Sequence, residues 1–339
     1  MKKLVSLSLV LLMAFSVLTG CSTNEEDTGG DTEGTKYVIA NTPKCVGIAW
    51  WDRMEVGNQI FSKATGHEVY QSGGDASADA SEQLKYIEDA IAEGVDIITV
   101  IPNDPDACET TLKKARDNGI VVISHEAEGM TNVDYDIEAF VNEEYGAHLM
   151  DLLAAEMGEE GEYCIMVGAF TMTSHAQWAE GAEKRQAEAY PNMVNIGRVE
   201  SAAAGGGSEG SKKVAKEVIA AHPNVKGFIG CDMVDPPGIA AAVEEAGKAG
   251  EIAVTGTCLT SVCQSYLENG TMKTFSAWDP STAGQAMCAL GVLVKEGVEI
   301  TDGIDLGVEG FHNCTVKGNI VYGQAWFDGT VDNYKDYDF

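Results

Sequence analysis

Residues 97–124 read IITVIPNDPDACETTLKKARDNGIVVIS. The β-branched run 97–101 predicts a buried strand, and Pro102-Asn103-Asp104 breaks it. Residues 107–118 then space apolar side chains along one face of a helix. Gly119 stops that helix as a C-terminal glycine does, and 120–124 predicts a second strand. Strand, helix and strand in this order make a right-handed βαβ unit on a parallel sheet. Residues 227–256, GFIGCDMVDPPGIAAAVEEAGKAGEIAVTG, repeat the layout with an Asp/Pro turn, an Ala-rich helix and a glycine stop. Working outward, strands are expected at 46–49 and 68–70 and helices at 53–65 and 80–93. The alternation restarts after Glu144, with helices at 145–157, 177–190, 212–221 and 238–246. Strands at 163–167, 194–199, 227–230 and 252–256 lie between them. A last strand at 274–277 leads to a helix at 282–295. The economical reading is an α/β protein of two similar parallel-sheet lobes with a cleft between them.

The amino terminus is of another kind. MKKLVSLSLVLLMAFSVLTGC (1–21) places Lys2 and Lys3 before an apolar run from Leu4 to Leu18. That is a secretory signal pattern, too short and wrongly flanked for an ordinary membrane span. Its Leu-Thr-Gly-Cys ending resembles a bacterial lipobox, which implies lipid attachment at Cys21 and an extracytoplasmic protein anchored to the cell membrane. Residues 22–36, STNEEDTGGDTEGTK, are too poor in apolar side chains to order themselves and read as a flexible tether. The whole chain has 339 residues and a formal net charge of −31. Such a balance excludes nucleic acid as a partner and argues against docking on anionic lipid, since both need a basic face. Beyond Cys21, eight cysteines remain. Export permits disulfides, yet Cys45, Cys164 and Cys231 sit in or beside apolar runs, so mostly reduced, buried thiols are expected. Neither zinc spacing nor a cofactor motif is present, so no metal or cofactor is expected.

In open parallel sheets, ligands bind beyond the carboxyl ends of the strands. There the chain places Trp50, Trp51 and Asp52, then Asn103 and Asp104, then His125 and Glu126. In the second half come Ser174, His175 and Trp178, then Asp232, and finally Trp278 and Asp279. Indole faces stack on the C–H faces of a sugar, and carboxylates and amides take its hydroxyls. Trp50 and Trp51, taken as extended, would point to opposite faces. Asn103, Asp104 and Asp279 have a competing role as helix caps. Lys44 is read as entering the strand at 46–49 from its amino end. The run Gly205-Gly206-Gly207 lacks a following Lys-Ser/Thr and is read as a plain loop.

The segments 42–51, 94–128, 172–178 and 271–285, with Tyr334 and 337–339, resemble bacterial sugar-binding lipoproteins of the type 1 periplasmic-binding-protein fold, the solute receptors of ABC importers. Within that group the chain is similar to the branch of autoinducer-2 and rhamnose receptors. The resemblance implies that Lys44 reaches the ligand and that Glu126 stands where those receptors accept ligand hydroxyls with an aspartate. Ser174 and His175 occupy an Asp-Gln position, Cys231 and Met233 replace a Pro and an Ala, and an arginine of ribose receptors is missing near Ala176 and Gln177. These departures point away from autoinducer-2 itself and toward a different small uncharged ligand. Family anatomy implies one lobe of 37–143 plus 279–310, a second of 144–278 plus 311–339, and a hinge of three crossing strands. A monomeric receptor is expected, closing on a neutral sugar and presenting it to a membrane permease. Two other readings stay open on sequence. One is a sensory receptor serving a chemoreceptor or kinase. The other is an extracytoplasmic sugar enzyme using Glu126, Asp232 and Asp279 as acid and base.

Overall fold

A computed structural model describes residues 35–75, 80–337 and 339. The signal pattern, Cys21 and nearly all of the tether lie outside the described residues. Among the described residues, no helix is long and apolar enough to cross a membrane.

The larger sheet begins with β1 (Val38–Thr42), β2 (Glu68–Gln71), β3 (Ile97–Val100), β4 (Val121–His125) and β5 (Tyr135–Glu138). It runs in the order β2-β1-β3-β4-β5-β12-β11 and is parallel except for β11 (Thr315–Lys317), which is antiparallel to β12 (Ile320–Tyr322). Helices α1 (Ala49–Thr65), α2 (Ala80–Glu93), α3 (Pro105–Asp117) and α9 (Pro280–Lys295) cover its two faces. In β3 the pleat sends Ile97 into one apolar cluster and Ile98 and Val100 into another. The smaller sheet has the order β7-β6-β8-β9, from β6 (Glu160–Val167), β7 (Asn192–Glu200), β8 (Val225–Gly230) and β9 (Ala253–Gly256). Along β6, Tyr163, Ile165 and Val167 face one cluster while Cys164 and Met166 face the other. Its helices are α4 (Asn142–Met157), α5 (Thr173–Ala189), α6 (Gly207–Ala221), α7 (Asp235–Glu245) and α8 (Thr260–Glu268). A parallel bridge from Thr257 to Ser276 extends this sheet toward β10 (Thr274–Ala277), which pairs antiparallel with β13 (Phe327–Thr330).

Three segments pass between the halves. The first leads from β5 to α4, the second from β10 to α9, and the third from β12 to β13. The first and third run side by side, with Gly323 N donating to Glu138 O at 2.8 Å and Ala325 N to Ala139 O at 3.0 Å.

The structure differs from the sequence reading in four places. The first strand is Val38–Thr42, not 46–49, so Lys44 lies past the carboxyl end of a strand. A helix begins at Ala49, which puts Trp50 and Trp51 in its first turn, both buried, rather than in an extended segment. Residues Thr315–Tyr322, assigned to the second lobe on sequence, complete the larger sheet beside β5, so the third crossing starts after Tyr322 instead of at 311. Strands β5, β11, β12 and β13 and helix α8 are absent from the sequence reading. The eight described cysteines carry free thiols, and all but Cys45 are buried.

Candidate functional site

Where β1, β3 and β4 of the larger sheet, β6, β8 and β9 of the smaller one and the adjoining β10 end, their loops enclose a cavity of about 570 Å³. Lys44 and Glu126 form its most polar wall. The Lys44 ammonium donates to Glu126 Oε2 at 2.6 Å, and both side chains are under 10 % exposed. Ser174 Oγ, on the first turn of α5, donates to the same oxygen at 3.3 Å. Glu126 Oε1 takes no hydrogen bond among the described residues, and His125 Nε2 stands 3.9 Å from it. Burial alone would raise the Glu126 carboxyl, but the adjacent Lys44 ammonium outweighs it and holds the group down to about 2. The backbone at Glu126 has φ 56°, a left-handed conformation that costs a non-glycine residue about 1 kcal/mol. Such conformations concentrate at binding and catalytic sites, where a side chain must be aimed against local preference.

Four of the five tryptophans line the cavity, Trp50 and Trp51 from α1, Trp178 from α5 and Trp278 after β10. Trp278 meets Trp50 edge-on at 4.6 Å and Trp178 at 5.7 Å. Close helix packing delivers Trp178. A Cβ on Gly146 of α4 would lie 2.0 Å from the Trp178 carbonyl oxygen, and one on Gly181 would lie 2.2 Å from the Glu143 carbonyl oxygen. Only glycine at both crossings lets α4 and α5 approach this far. The Trp178 indole N–H is spent on Asn142 Oδ1 at 2.6 Å, whereas Trp278 Nε1 has no partner among the described residues.

His175 accepts the Gly168 N–H on Nδ1 at 3.1 Å, which leaves Nε2 as the protonated nitrogen. Burial, helped by the nearby Lys44 charge, pushes this imidazole down to about 3, so it is a neutral donor at physiological pH. Asp232 accepts the Val234 N–H at 3.2 Å and is raised above the ordinary carboxylate range, chiefly by burial and also by Glu126. Its Oδ2 would stand 2.7 Å from a Cβ on Gly168, so glycine at the end of β6 keeps this wall open. Asn103 holds the Lys44 carbonyl with its amide at 2.7 Å, and Gln83 holds the Asn103 N–H at 2.9 Å. Asp104 caps α3 by accepting from Ala107 N at 3.2 Å and also borders the cavity.

Four of the residues placed after strands stand elsewhere: Asp52 is exposed on α1, His125 turns Nδ1 to the Ile137 carbonyl, and Ser174 and Asp279 are committed to other partners. Ser174 lies behind Glu126 and does not line the cavity. Asp279 is taken by Arg53 in a bidentate pair at 2.8 and 2.6 Å and by the Ser281 N–H of α9, so its capping role prevails and the cavity is built without it. Sequence reasoning missed Cys45, Met172 and Thr257, which line the cavity without any polar-cluster signal. The glycine run 205–207 also borders it, at φ 99°, 66° and 64°.

The profile of the periplasmic binding protein domain matches residues 39–298. The D-ribose/D-allose-binding protein of Pseudomonas aeruginosa is 26 % identical over 303 residues, covering 84 % of this chain and 90 % of its own. The D-allose-binding periplasmic protein of Escherichia coli is 25 % identical over 71 % of this chain and 79 % of its own. An ABC transporter solute-binding protein of Clostridium phytofermentas, solved with L-rhamnose, superposes with a TM-score of 0.81 at 21 % identity, over 89 % of this chain and 98 % of its own. LsrB from Clostridium saccharobutylicum, solved with AI-2, does so at 0.81 and 22 % identity, over 89 % of this chain and all of its own. With two main sheets joined by three crossings, a cavity at their strand ends and a profile match across most of its length, this chain belongs to the periplasmic binding protein family.

Proposed function

We propose that this protein is a lipid-anchored extracytoplasmic receptor that closes on one small neutral sugar and passes it to an ABC importer. The observation that carries the reading is the Lys44–Glu126 pair set among indole rings supplied by both halves. Its lysine charge is already neutralised, so no free cation among the lining residues waits for a carboxylate or phosphate. What remains suits hydroxyls: Glu126 Oε1 and Asp232 accept, while His175 Nε2–H and the Asn103 region donate or accept at the rim. The indoles cover the apolar faces of a sugar ring. In this assignment one lobe comprises 37–143 and 279–322, the other 144–278 and 323–339, and binding shifts the pair toward closure. The monomer is the binding unit, and Cys21 carries the lipid. An enzyme would need an acid/base carboxylate pair, and since Glu126 and Asp232 both line the cavity, recovery of the sugar chemically unchanged after long incubation is the result expected of a receptor.

The reading is tested by thermal shift with matched pairs of neutral sugars and their aldonic acids. One neutral sugar should raise Tm while its acid does not. Stabilisation by acids or phosphorylated sugars alone would refute the charge argument.

A further inference from the structure

Three side chains that do not line the cavity form a hydrogen-bonded set behind Trp178, and Tyr322 also bonds the carboxylate among them. The indole N–H can only donate, so Asn142 must turn Oδ1 toward it, at 2.6 Å. That turns the Asn142 amide nitrogen toward Gln177 Oε1 at 2.9 Å and Glu128 Oε1 at 3.3 Å. Gln177 is then obliged to donate through Nε2 to Glu128 Oε2 at 3.0 Å. Every amide orientation follows from the single fixed donor, and both carboxylate oxygens are used. Asn142 is 2 % exposed and opens α4 directly after the first crossing segment. Gln177 and Trp178 sit on α5 of the smaller half, while Glu128 follows β4 of the larger one, two residues past Glu126.

We propose that Asn142, Glu128 and Gln177 are positioning residues that lock the Trp178 ring for ligand stacking and couple that lock to closure. The coupling arises because the carboxylate comes from the opposite half. Opening the cleft draws Glu128 from Gln177, loosens Asn142 and frees the indole. Closing it restores ring and ligand surface together. The inference rests on the sugar-receptor reading for its ligand-binding arm only.

The test uses Asn142→Leu, Glu128→Gln and Trp178→Phe in the purified protein, with the sugar found by thermal shift as probe. Asn142→Leu leaves a buried indole donor unpaired and should weaken sugar binding about tenfold. Glu128→Gln faces one amide donor with another and should weaken it severalfold. If Asn142 acts through the indole, Trp178→Phe combined with Asn142→Leu should bind no worse than the weaker single variant. Multiplied losses would overturn the relay, as would wild-type affinity in both Asn142→Leu and Glu128→Gln. A second arm needs no sugar. The share of unliganded molecules that hold the lock shields the indole, so acrylamide quenching of the unliganded protein should rise on Glu128→Gln, and this rise should vanish in a Trp178→Phe background. Unchanged quenching refutes the relay even where the receptor reading stands, and a wild type that binds no sugar, together with the quenching rise in Glu128→Gln, refutes only the receptor reading.

Discussion

Replacing Lys44 by Met removes one half of a buried ion pair while keeping most of the side-chain volume. At 2.6 Å the gross attraction is on the order of 6 kcal/mol for an effective dielectric of about 20. Desolvating both groups consumes much of that, so the pair adds little net stability over an apolar substitute. Removing one partner is a different matter, because Glu126 then keeps its burial cost without compensation, a loss of about 3–5 kcal/mol. Ser174 Oγ alone remains as a donor to that oxygen. The pH dependence fixes the sign. In the wild type the Glu126 carboxyl is lowered to about 2 from 4.5. Its stabilisation is therefore fully present above the unfolded value and is lost as pH falls through about 2. In Lys44→Met burial dominates and raises the group above its unfolded value, so the folded state binds the extra proton and stability falls as pH rises above about 4.5. Urea unfolding at pH 5 and pH 8 should show the variant destabilised more at pH 8. Lys44→Met/Glu126→Gln should recover most of the stability but not ligand binding. A loss below about 1 kcal/mol at pH 8, or a wild-type pH slope in the single variant, would refute the reasoning.

Other outcomes follow from the same geometry. His175 is lowered from 6.5 to about 3, so the unfolded chain binds more protons between these values and stability falls as pH drops through that window. His175→Asn should flatten this slope in acid unfolding curves, and NMR should find the ring neutral with Nε2 protonated from pH 5 to 8. Gly146→Ala drives a Cβ to 2.0 Å from a backbone oxygen, beyond ordinary overpacking; calorimetry should show a loss of about 3 kcal/mol or more, with ligand binding lost as well. Asp279→Asn breaks the charge pairing with Arg53 without touching the cavity, so sugar affinity should stay within about threefold while Glu126→Gln weakens it by about tenfold or more.

The alternation of strand and helix was legible because its punctuation is local. Gly94 and Gly119 stop helices with φ 72° and 78°, and Pro105 opens α3 behind the Asp104 cap. The first strand was misplaced because VIANT ends in polar residues whose bonding is tertiary: Asn41 donates to Thr99 Oγ1 at 2.9 Å from the neighbouring strand. The apolar run at 46–49 looked more strand-like, and shifting the strand there moved Lys44 to the wrong end and straightened Trp50 and Trp51. Asp279 shows a second limit. A carboxylate after a strand can serve ligand or helix, and only the distant Arg53, which completes a bidentate pair, decides between them. The acidic residue aimed into the cavity, Glu126, was readable from its place after a buried strand. The partner that holds its charge, Lys44, lies 82 positions away; family resemblance implied that it reaches the ligand, but its pairing with Glu126 is read only from the structure.

The protein is expected to form a one-to-one complex with a neutral sugar in the cavity between the halves. Isothermal titration of the purified protein, denatured and refolded to strip carried-over ligand, against pentoses, hexoses, deoxyhexoses and autoinducer-2 tests it most directly. Tight one-to-one binding of one neutral sugar is expected, lost in Glu126→Ala and retained in Asp279→Asn. Absence of heat across the panel from folded protein, or binding indifferent to Glu126, would contradict it.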